Sequence, residues 1–263
     1  MSEPILTRRA GSVLHLTLHR PQRRNAMNRP MVEAILSAFT ALDPAVRVVV
    51  LRGEGGHFCA GGDIAEMAGT LGQQPGAGGD PLAALNRRFG VMLQAVESSH
   101  AAVIAVCEGG VMGGGFGLAC VADVTLAVDG ARFRLPETGL GITPAQIAPF
   151  VVRRLGLSQA RRLAVTGKQL DAAAAVALGL AHERVAADRA EDALAETVAA
   201  ILKCEPSAVA ATKALMLRAA PLELSALLDQ AAAEFAALAR GPAAMGGFQA
   251  FLQRKAPPWV EEV

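Results

Sequence analysis

The chain has 263 residues, of which 52% are hydrophobic and 19% charged, and its formal net charge at pH 7 is +1. This composition supports a large packed core, and the near-neutral charge with 4% aromatic residues excludes an obvious nucleic-acid surface. The first ten residues lack a signal-peptide pattern, no apolar run reaches membrane-spanning length, and the four cysteines show no CxxC spacing, so we expect a cytoplasmic protein without disulfides or zinc.

The first half of the sequence alternates strand and helix patterns. Short runs rich in β-branched residues predict buried strands, and longer stretches with helical periodicity predict helices between them. The predicted strands cover residues 13–19, 46–51 and 101–107, with 124–128 and 131–133 as a possible pair, and the predicted helices cover residues 31–42 and about 82–98. A glycine-rich stretch at 69–81 is expected to be mobile.

After Pro144 the pattern becomes helical. Helices are predicted at residues 145–155, 158–166, 171–178, 188–204, 207–219 and 222–239. Alternating strands and helices favour an α/β fold with right-handed crossovers. We expect a core over residues 1–200 and a C-terminal helical region over 201–263 that packs on the core or on a neighbouring subunit.

Two glycine-rich loops follow the strands predicted at 46–51 and 101–107. The first reads His57-Phe58-Cys59-Ala60-Gly61-Gly62-Asp63-Ile64, and the second runs from Gly109 to Gly117. Glycines let a backbone approach a ligand closely and direct N–H groups at it, and two amides that converge on one oxygen form an oxyanion hole. The alternative is that these glycines only mark turns.

Other glycine and catalytic motifs are absent. No GxGxxG occurs, and Gly167-Lys168 is followed by Gln169, so there is no phosphate-binding GxxxxGK[ST] loop. The sequence also lacks a GxSxG elbow and an HExxH zinc motif. Dinucleotide binding, nucleophilic serine chemistry and zinc hydrolysis therefore lack support.

Several short motifs occur together in the order and spacing of one family. They are Arg20-Pro21, Arg24-Asn25-Ala26-Met27-Asn28, Phe58-Cys59-Ala60-Gly61-Gly62-Asp63-Ile64, Gly113-Gly114-Gly115-Phe116-Gly117-Leu118, Ala122-Asp123 and Leu135-Pro136-Glu137. From Val13 to about Lys255, the chain resembles the crotonase (enoyl-CoA hydratase/isomerase) superfamily. The resemblance implies an α/β ClpP-like spiral of ββα repeats, a C-terminal helical trimerisation region, and assembly as a homotrimer or homohexamer.

The resemblance also implies a site for an acyl-CoA thioester. Ala60 and Gly114 match the amide donors of the family's oxyanion hole, and Glu137 matches a catalytic glutamate. Coenzyme A enters as part of the substrate, with no further cofactor or metal. The residues implied to line it are Arg24, Asn25, Ala26, Met27, Ala60, Gly61, Gly62, Asp63 and Ile64. Arg23 is an alternative phosphate contact, and Arg254 or Lys255 are weaker ones.

One position departs from the family's pattern. The best-known hydratases hold a water between two glutamates, and the position of the second glutamate is Gly117 here. A glycine has no side chain to deprotonate or orient water, so Glu137 is left as the obvious proton-transfer group. Its apolar neighbours Leu135, Pro136, Leu140 and Ile142 are expected to raise its pKa toward neutrality. A surface position for Glu137 is the alternative.

Other polar residues receive structural interpretations. Asp63 with Glu66 is typical of a helix-capping pair, Asp123 begins a strand, and His57 is expected to pack within its loop. Cys59 is expected to be a small core residue, like Cys107.

The reaction predicted from this pattern is hydration of an enoyl-CoA through an enolate. The segment 139–150 is similar to hydratases of the glutaconyl-CoA type, including isohexenylglutaconyl-CoA and methylglutaconyl-CoA hydratases, which favours a branched substrate. A one-glutamate Δ3,Δ2-enoyl-CoA isomerase stays open, as does an acyl-CoA-binding protein with little catalysis.

Overall fold

The computed structural model describes residues 3–71, 80–219, 235, 241–253 and 255–260. The strands in these ranges are β1 (Ile5–Ala10), β2 (Val13–Leu18), β3 (Val48–Gly53), β4 (Ala102–Cys107), β5 (Gly110–Met112), β6 (Val124–Val128), β7 (Arg132–Arg134), β8 (Leu170–Asp171) and β9 (Glu183–Val185). They form a main sheet with strand order β1-β2-β3-β4-β6-β9 and a small sheet with order β5-β7-β8.

The helices that surround these sheets vary from 6 to 19 residues. In the described ranges they are α1 (Arg29–Thr40), α2 (Ile64–Leu71), α3 (Pro81–Glu97), α4 (Gly114–Val121), α5 (Ala148–Thr166), α6 (Ala172–Ala177), α7 (Ala190–Leu202), α8 (Pro206–Ala219) and α9 (Pro242–Gln253). Asn28, Asp80 and Asp171 accept N–H bonds at the starts of α1, α3 and α6, as expected of N-cap residues.

The main sheet lies between two layers of helices. Side chains alternate between the faces of a strand, and β3 shows both layers: Val49 packs in a core cluster with α1 and α3, whereas Val48 and Val50 pack in a second cluster with α7. All six residues of β4 are buried. Burial on both faces explains why β3 and β4 read as continuous apolar runs rather than as alternating ones.

The strand directions bring the two glycine-rich loops together. β1 is antiparallel to β2, and the remaining neighbours in the main sheet are parallel. β3 and β4 are adjacent, so the loops that follow Gly53 and Cys107 leave the same edge of the sheet. The carboxyl edge of a parallel sheet is the usual place for a ligand site.

The small sheet holds the chain on either side of the second loop. β5 is parallel to β7, with Met112 opposite Arg134, and Gly113 N–H donates to the Arg134 carbonyl at 3.0 Å. The residues directly after β5 and β7 are therefore kept close to each other. This places Gly114 and Glu137 in the same part of the molecule.

One strand pairing differs from the sequence prediction, and one predicted helix break is present. The expected pairing of 124–128 with 131–133 is wrong, because Gly130 (φ 91°) turns the chain out of the main sheet, so that β6 pairs with β4 and β9 while β7 pairs with β5 and β8. The predicted break between the helices 145–155 and 158–166 is confirmed, because α5 is interrupted at Gly156, which is not helical (φ 72°, ψ 157°). The other predicted elements that fall in the described ranges agree within two or three residues at most ends.

Some predictions fall beyond the described ranges. The predicted helix at 222–239 lies outside them apart from residue 235, and so does the central part of the glycine-rich stretch at 69–81. Over the residues that are described, none of the helices combines the length and the apolar character needed to cross a bilayer.

Candidate active site

The loop after β3 lies beside the segment that leads into α1, and three backbone hydrogen bonds join them. Ala60 N–H donates to the Arg24 carbonyl (2.9 Å), Met27 N–H to the Gly61 carbonyl (2.7 Å) and Asp63 N–H to the Met27 carbonyl (2.9 Å). The two segments that the sequence assigned to coenzyme A thus lie side by side.

The peptide between Gly61 and Gly62 directs one amide away from this pairing. A trans peptide holds its C=O and N–H on opposite sides. Since the Gly61 carbonyl accepts from Met27, the Gly62 N–H must point away from Met27. Gly62 is exposed, and its N–H donates to no acceptor in the described part of the chain. It is an amide of this loop that is available to a ligand.

The hydrogen bonding corrects the interpretation of Ala60. Its N–H already donates to the Arg24 carbonyl, so it is not free for a thioester oxygen. The residue that sequence reasoning missed is Gly62, which it assigned only to coenzyme A binding. Which amide faces outward depends on the pairing between residues 24–27 and 60–63, and nothing in the local sequence specifies that pairing.

The second loop supplies another free amide. Gly113 has φ 47° and ψ −111°, and Gly114 begins α4. The first N–H groups of a helix have no acceptor within it, and Gly114 N–H has none elsewhere among the described residues. A Cβ built on Gly61 would lie 3.7 Å from the Gly114 nitrogen, so the two loops meet here. Gly62, the residue after Gly61, and Gly114 therefore lie on loops in contact with each other, and we call the space beside these two residues the cleft.

The close approach of the loops requires glycine at their contact points. A Cβ on Gly115 would lie 2.7 Å from the Cβ and the carbonyl oxygen of Cys59. Gly61 has φ 98°, and its Cβ would lie 3.1 Å from the Met112 carbonyl oxygen. Glycine here is needed both for the backbone conformation and for the space.

Glu137 lies against the start of α4. It begins a short 3-10 turn, Glu137–Leu140, shortly after β7. A Cβ on Gly113 would lie 2.7 Å from Glu137 Oε1, which places the carboxyl beside the residue that precedes Gly114. Glu137 Oε2 is buried and has no hydrogen-bond partner. Burial raises the pKa of Glu137, because loss of hydration disfavours the charged form.

An apolar side chain occupies the space in front of Gly117. A Cβ at this position would lie 2.4 Å from Ile147 Cγ2, 3.3 Å from Ile147 Cβ and 3.3 Å from Leu93 Cδ1. Ile147 is 4% exposed and immediately precedes α5. The position of the family's second glutamate is thus filled by packing as well as lacking a carboxyl.

More apolar side chains surround the free amides. A Cβ on Gly114 would lie 2.7 Å from Met27 Cε and 2.9 Å from Phe89 Cζ. Ile64, which follows Asp63, and Leu140 and Ile142, which follow Glu137, are exposed by 52%, 55% and 46%. The cleft combines free N–H donors and one carboxyl with apolar walls.

The residues predicted to line coenzyme A differ in how accessible their side chains are. Arg24 and Ile64 are exposed, whereas Met27 is 3% and Asn25 0% exposed. The Asn25 side chain is fully used by backbone groups, and the Ala26 carbonyl accepts from Arg20. Asn25 can therefore shape this segment but cannot offer its side chain to a ligand.

The contacts of Asp63, His57 and Cys59 agree with their structural interpretations. Of the predicted capping pair only the Asp63 half is seen, because the Asp63 N–H donates to the Met27 carbonyl and Glu66 Oε2 accepts from the Arg29 N–H at 2.8 Å. Asp63 Oδ1 accepts from the N–H groups of Ala65 (3.1 Å) and Glu66 (3.4 Å) at the start of α2. His57 Nδ1 accepts from Gly110 N–H at 3.0 Å, which fixes its place within the loops. Burial raises the pKa of the Cys59 thiol to about 12, so it stays neutral and packs rather than acting as a nucleophile.

Two further predictions concern metals and the C-terminus. Within the described ranges, His, Cys, Asp and Glu side chains form no group of three that would hold a metal ion. Lys255 is exposed, and Arg254 lies outside the described residues.

The fold and the cleft together define a class of protein: an α/β protein with two free backbone amides on adjoining loops and one buried carboxyl close to them. The family model described as enoyl-CoA hydratase/isomerase matches residues 8–262. The chain belongs to the enoyl-CoA hydratase/isomerase family, within the crotonase superfamily, and is an enzyme of that type.

Individual relatives agree with this assignment. An enoyl-CoA hydratase/isomerase from Marinobacter aquaeolei has a solved structure with a TM-score of 0.94 and 47% identity, covering 99% of this chain and 100% of that one. The 2,3-dehydroadipyl-CoA hydratase of Escherichia coli is 31% identical over 260 residues, 98% of each chain. The 3-hydroxyisobutyryl-CoA hydrolase 1 of Arabidopsis thaliana is 35% identical over 188 residues, and the matched part spans about half (49%) of that protein and 70% of this one.

Proposed function

We propose that this enzyme hydrates an enoyl-CoA thioester, with Glu137 as its single acid–base residue and the amides of Gly62 and Gly114 holding the thioester oxygen. The observation that carries this proposal is the contact between the Glu137 carboxyl and Gly113, directly before a free amide. The name of the E. coli hydratase supports a hydration reaction on an acyl-CoA. Coenzyme A takes part only as a portion of the substrate.

The proposed reaction uses one carboxyl twice. The Glu137 carboxylate takes a proton from water while the water oxygen bonds to the β-carbon, and the π electrons move onto the thioester oxygen as an enolate. Donation from two N–H groups stabilises that oxygen, and each such donor typically contributes about 2.7–4 kcal/mol. The protonated Glu137 then gives its proton to the α-carbon, which completes the addition of water and restores the carboxylate.

The substrate that fits best is a branched acyl group. Met27 and Phe89 place apolar atoms against Gly114 and Ile147 does so against Gly117, and an acyl chain needs such contacts without polar partners. This inference extends the similarity of the segment 139–150 to hydratases of branched enoyl-CoAs. A homotrimer or homohexamer is the assembly that we propose, since α5 exposes Leu157 (60%) and Val165 (74%).

Isomerisation is the second candidate, and the packing of Ile147 against Gly117 favours it. A double-bond shift needs only one carboxyl, which removes a proton from the α-carbon and returns it to the γ-carbon. It needs no water, and an apolar wall on the side of Gly117 suits that chemistry. An acyl-CoA-binding protein without catalysis is disfavoured by the buried, unpartnered carboxyl oxygen of Glu137, which is costly unless it is used.

Absorbance measurements with matched substrates test the choice. Hydration of a branched 2-enoyl-CoA should remove the absorbance of the conjugated thioester, whereas isomerisation of the corresponding 3-enoyl-CoA should create it. We expect the higher kcat/KM for the first reaction. A higher kcat/KM for the 3-enoyl substrate would replace hydration by isomerisation, and no turnover of either substrate would contradict both.

The pH dependence of hydration follows from the state of Glu137. The free enzyme needs the carboxylate, and burial raises the pKa of this group above the ordinary value of a glutamic acid. We therefore expect kcat/KM to fall as the pH is lowered through that raised pKa, at a higher pH than an exposed carboxyl would give. A profile that stays flat down to the ordinary pKa of glutamate would show that Glu137 is not the base.

A further inference from the structure

An ion pair lies next to the free amide of the first loop. Arg20 Nη2 and Asp63 Oδ2 are 2.9 Å apart, and the two side chains are 16% and 13% exposed. Such shielding makes this pair different from the exposed pairs on the surface, which contribute little. Arg20 also donates through Nη1 to the Ala26 carbonyl at 2.5 Å. One guanidinium therefore holds two separate segments of the chain.

The two contacts of Arg20 are made with the two segments that pair through their backbones, residues 24–27 and 60–63. Ala26 directly precedes Met27, and Asp63 directly follows Gly62. The Met27 N–H donates to the Gly61 carbonyl, and the Met27 carbonyl accepts from the Asp63 N–H. Met27 is therefore hydrogen-bonded to the residues on both sides of Gly62. Arg20 thus fixes the register in which Met27 stands opposite Gly62.

Asn25 also connects the segment at residues 20–26 to the loop after β3. Its amide nitrogen donates to the carbonyls of Glu54 (2.8 Å) and His57 (2.7 Å), and its oxygen accepts from the Arg20 N–H (2.9 Å). The beginning of the loop after β3 is thereby fastened to the same segment that Arg20 holds at the loop's end.

The orientation of the peptide plane between Gly61 and Gly62 must be fixed by other contacts. This peptide lies between two glycines, so little steric resistance opposes rotation of its plane. Rotation would turn the Gly62 N–H out of the cleft and put a carbonyl oxygen in its place. A carbonyl there would repel the developing enolate instead of stabilising it.

We propose that Arg20 and Asp63 are positioning residues that keep the Gly62 N–H directed at the thioester oxygen. The inference rests on the proposed function, because it gives that amide its role. Neither side chain touches the reacting atoms. They act through the pairing of Met27 with Gly62, which sets the plane of the peptide.

The test uses the full-length protein with butyryl-CoA, a saturated thioester, in deuterated water. Exchange of its α-protons reports enolate formation without requiring hydration. We expect Arg20→Gln and Asp63→Asn to slow this exchange about 10–100-fold, the effect of misplacing a catalytic group by around 1 Å. Binding of butyryl-CoA should change much less than the exchange rate. Arg20→Lys should recover little, since one ammonium cannot reproduce both contacts of the guanidinium.

A spectroscopic readout separates positioning from stability. The carbonyl stretch of bound butyryl-CoA labelled with ¹³C at the thioester should shift to lower frequency in the wild type, because hydrogen bonds polarise the C=O bond. Arg20→Gln and Asp63→Asn should lose part of that shift. Asp63→Asn is nearly isosteric, so it serves if Arg20→Gln does not fold.

Lys213 provides a matched control. Lys213 Nζ is 2.7 Å from Asp123 Oδ2 and donates to the Ala101 carbonyl at 2.6 Å, with 12% exposure, so it also combines a shielded ion pair with a backbone contact. It lies on α8, away from both loops. Lys213→Met should lower the melting temperature but leave α-proton exchange and the carbonyl frequency unchanged.

The possible outcomes are distinguishable. Slower exchange and a smaller carbonyl shift in the Arg20 and Asp63 variants, but not in Lys213→Met, would support the inference. Lower melting temperatures with wild-type exchange and carbonyl frequency would overturn it and leave the proposed function standing. If the wild type itself does not exchange α-protons, the proposed function fails, and the positioning role with it.

Discussion

Glu137→Gln is expected to lower hydration about 10²–10⁴-fold, the range typical of losing a general acid–base group. Glutamine keeps the size and the hydrogen-bonding shape of the side chain but cannot accept and release a proton. Binding of a saturated acyl-CoA should persist, since the backbone amides and apolar walls are unchanged. Steady-state kinetics together with equilibrium binding of butyryl-CoA measure the two effects separately.

The same variant should be at least as stable as the wild type at pH 7. Burial raises the pKa of Glu137 above its value in the unfolded chain. Between those two pKa values the folded state binds more protons than the unfolded state, so stability falls as the pH rises through this window and stays lower above it. Glu137→Gln removes that ionisation. A thermal melt at pH 7 should therefore show an equal or higher melting temperature despite the loss of activity.

Glu97 offers the control for this prediction. Burial also raises its pKa, but both of its oxygens accept from Arg153 Nη2, at 2.9 and 2.8 Å. Glu97→Gln also removes a buried carboxyl whose pKa is raised, but one that is paired with Arg153, so it should leave turnover unchanged. Hydration by Glu137→Gln within about tenfold of the wild-type rate would contradict the assignment of Glu137.

The second large effect is expected at Gly117. Alanine in place of glycine normally stabilises a helix by about 0.5–1 kcal/mol. Here the new Cβ would stand 2.4 Å from Ile147 Cγ2, and that methyl group is fixed directly on the Ile147 Cβ. Overpacking of a buried contact typically costs about 1–3 kcal/mol. We therefore expect Gly117→Ala to destabilise the enzyme, as measured by chemical denaturation.

Two substitutions at Ile147 identify the atom responsible. Ile147→Val keeps Cγ2, so Gly117→Ala should be as damaging in that background as in the wild type. Ile147→Ala removes Cγ2, so Gly117→Ala should be tolerated there, although Ile147→Ala alone costs about 2–5 kcal/mol as a large-to-small core change. The double-mutant cycle should show a coupling of about 0.5–3 kcal/mol. If the changes in the free energy of unfolding caused by Gly117→Ala and by the Ile147 substitutions were additive in both backgrounds, Ile147 would not be the residue that fills the space at Gly117.

The opened position can also be used to change the reaction. Gly117→Glu in the Ile147→Ala background would restore the second carboxyl that the family's best-known hydratases use to hold a water. Hydration should then increase relative to isomerisation of the matched 3-enoyl-CoA. Gly117→Glu with Ile147 intact should not give an active enzyme, because the side chain has no space.

Much of the fold and part of the site can be predicted from short stretches of sequence. The β-branched runs of β3 and β4 indicate buried parallel strands, since both faces of these strands are apolar. The glycine-rich loops after them indicate close backbone contacts, which the Gly115–Cys59 approach shows directly. Glu137 is identified by its place in a motif, and burial raises its pKa as its apolar neighbours predict.

What the sequence could not predict depends on contacts between distant residues. The choice between Ala60 and Gly62 as the outward amide follows from pairing with residues 24–27, more than thirty positions earlier. The filling of the space at Gly117 by Ile147 joins two helices that are far apart in the chain. The pairing of β7 with β5 rather than with β6 depends on a turn at Gly130, whose direction periodicity does not reveal.

The small sheet β5-β7-β8 affects which sequence changes the enzyme can accept near Gly114 and Glu137. Gly114 follows β5 by two residues and Glu137 follows β7 by three, and the hydrogen bond from Gly113 N–H to the Arg134 carbonyl links the two ends. The proposed proton carrier and one of the proposed oxygen-binding amides are therefore held in place by the same small sheet. The segment 139–150 begins in the same turn as Glu137, and Ile142 N–H donates to the Glu137 carbonyl at 3.1 Å. Sequence changes in this segment are therefore expected to alter the setting of the carboxyl together with any acyl preference.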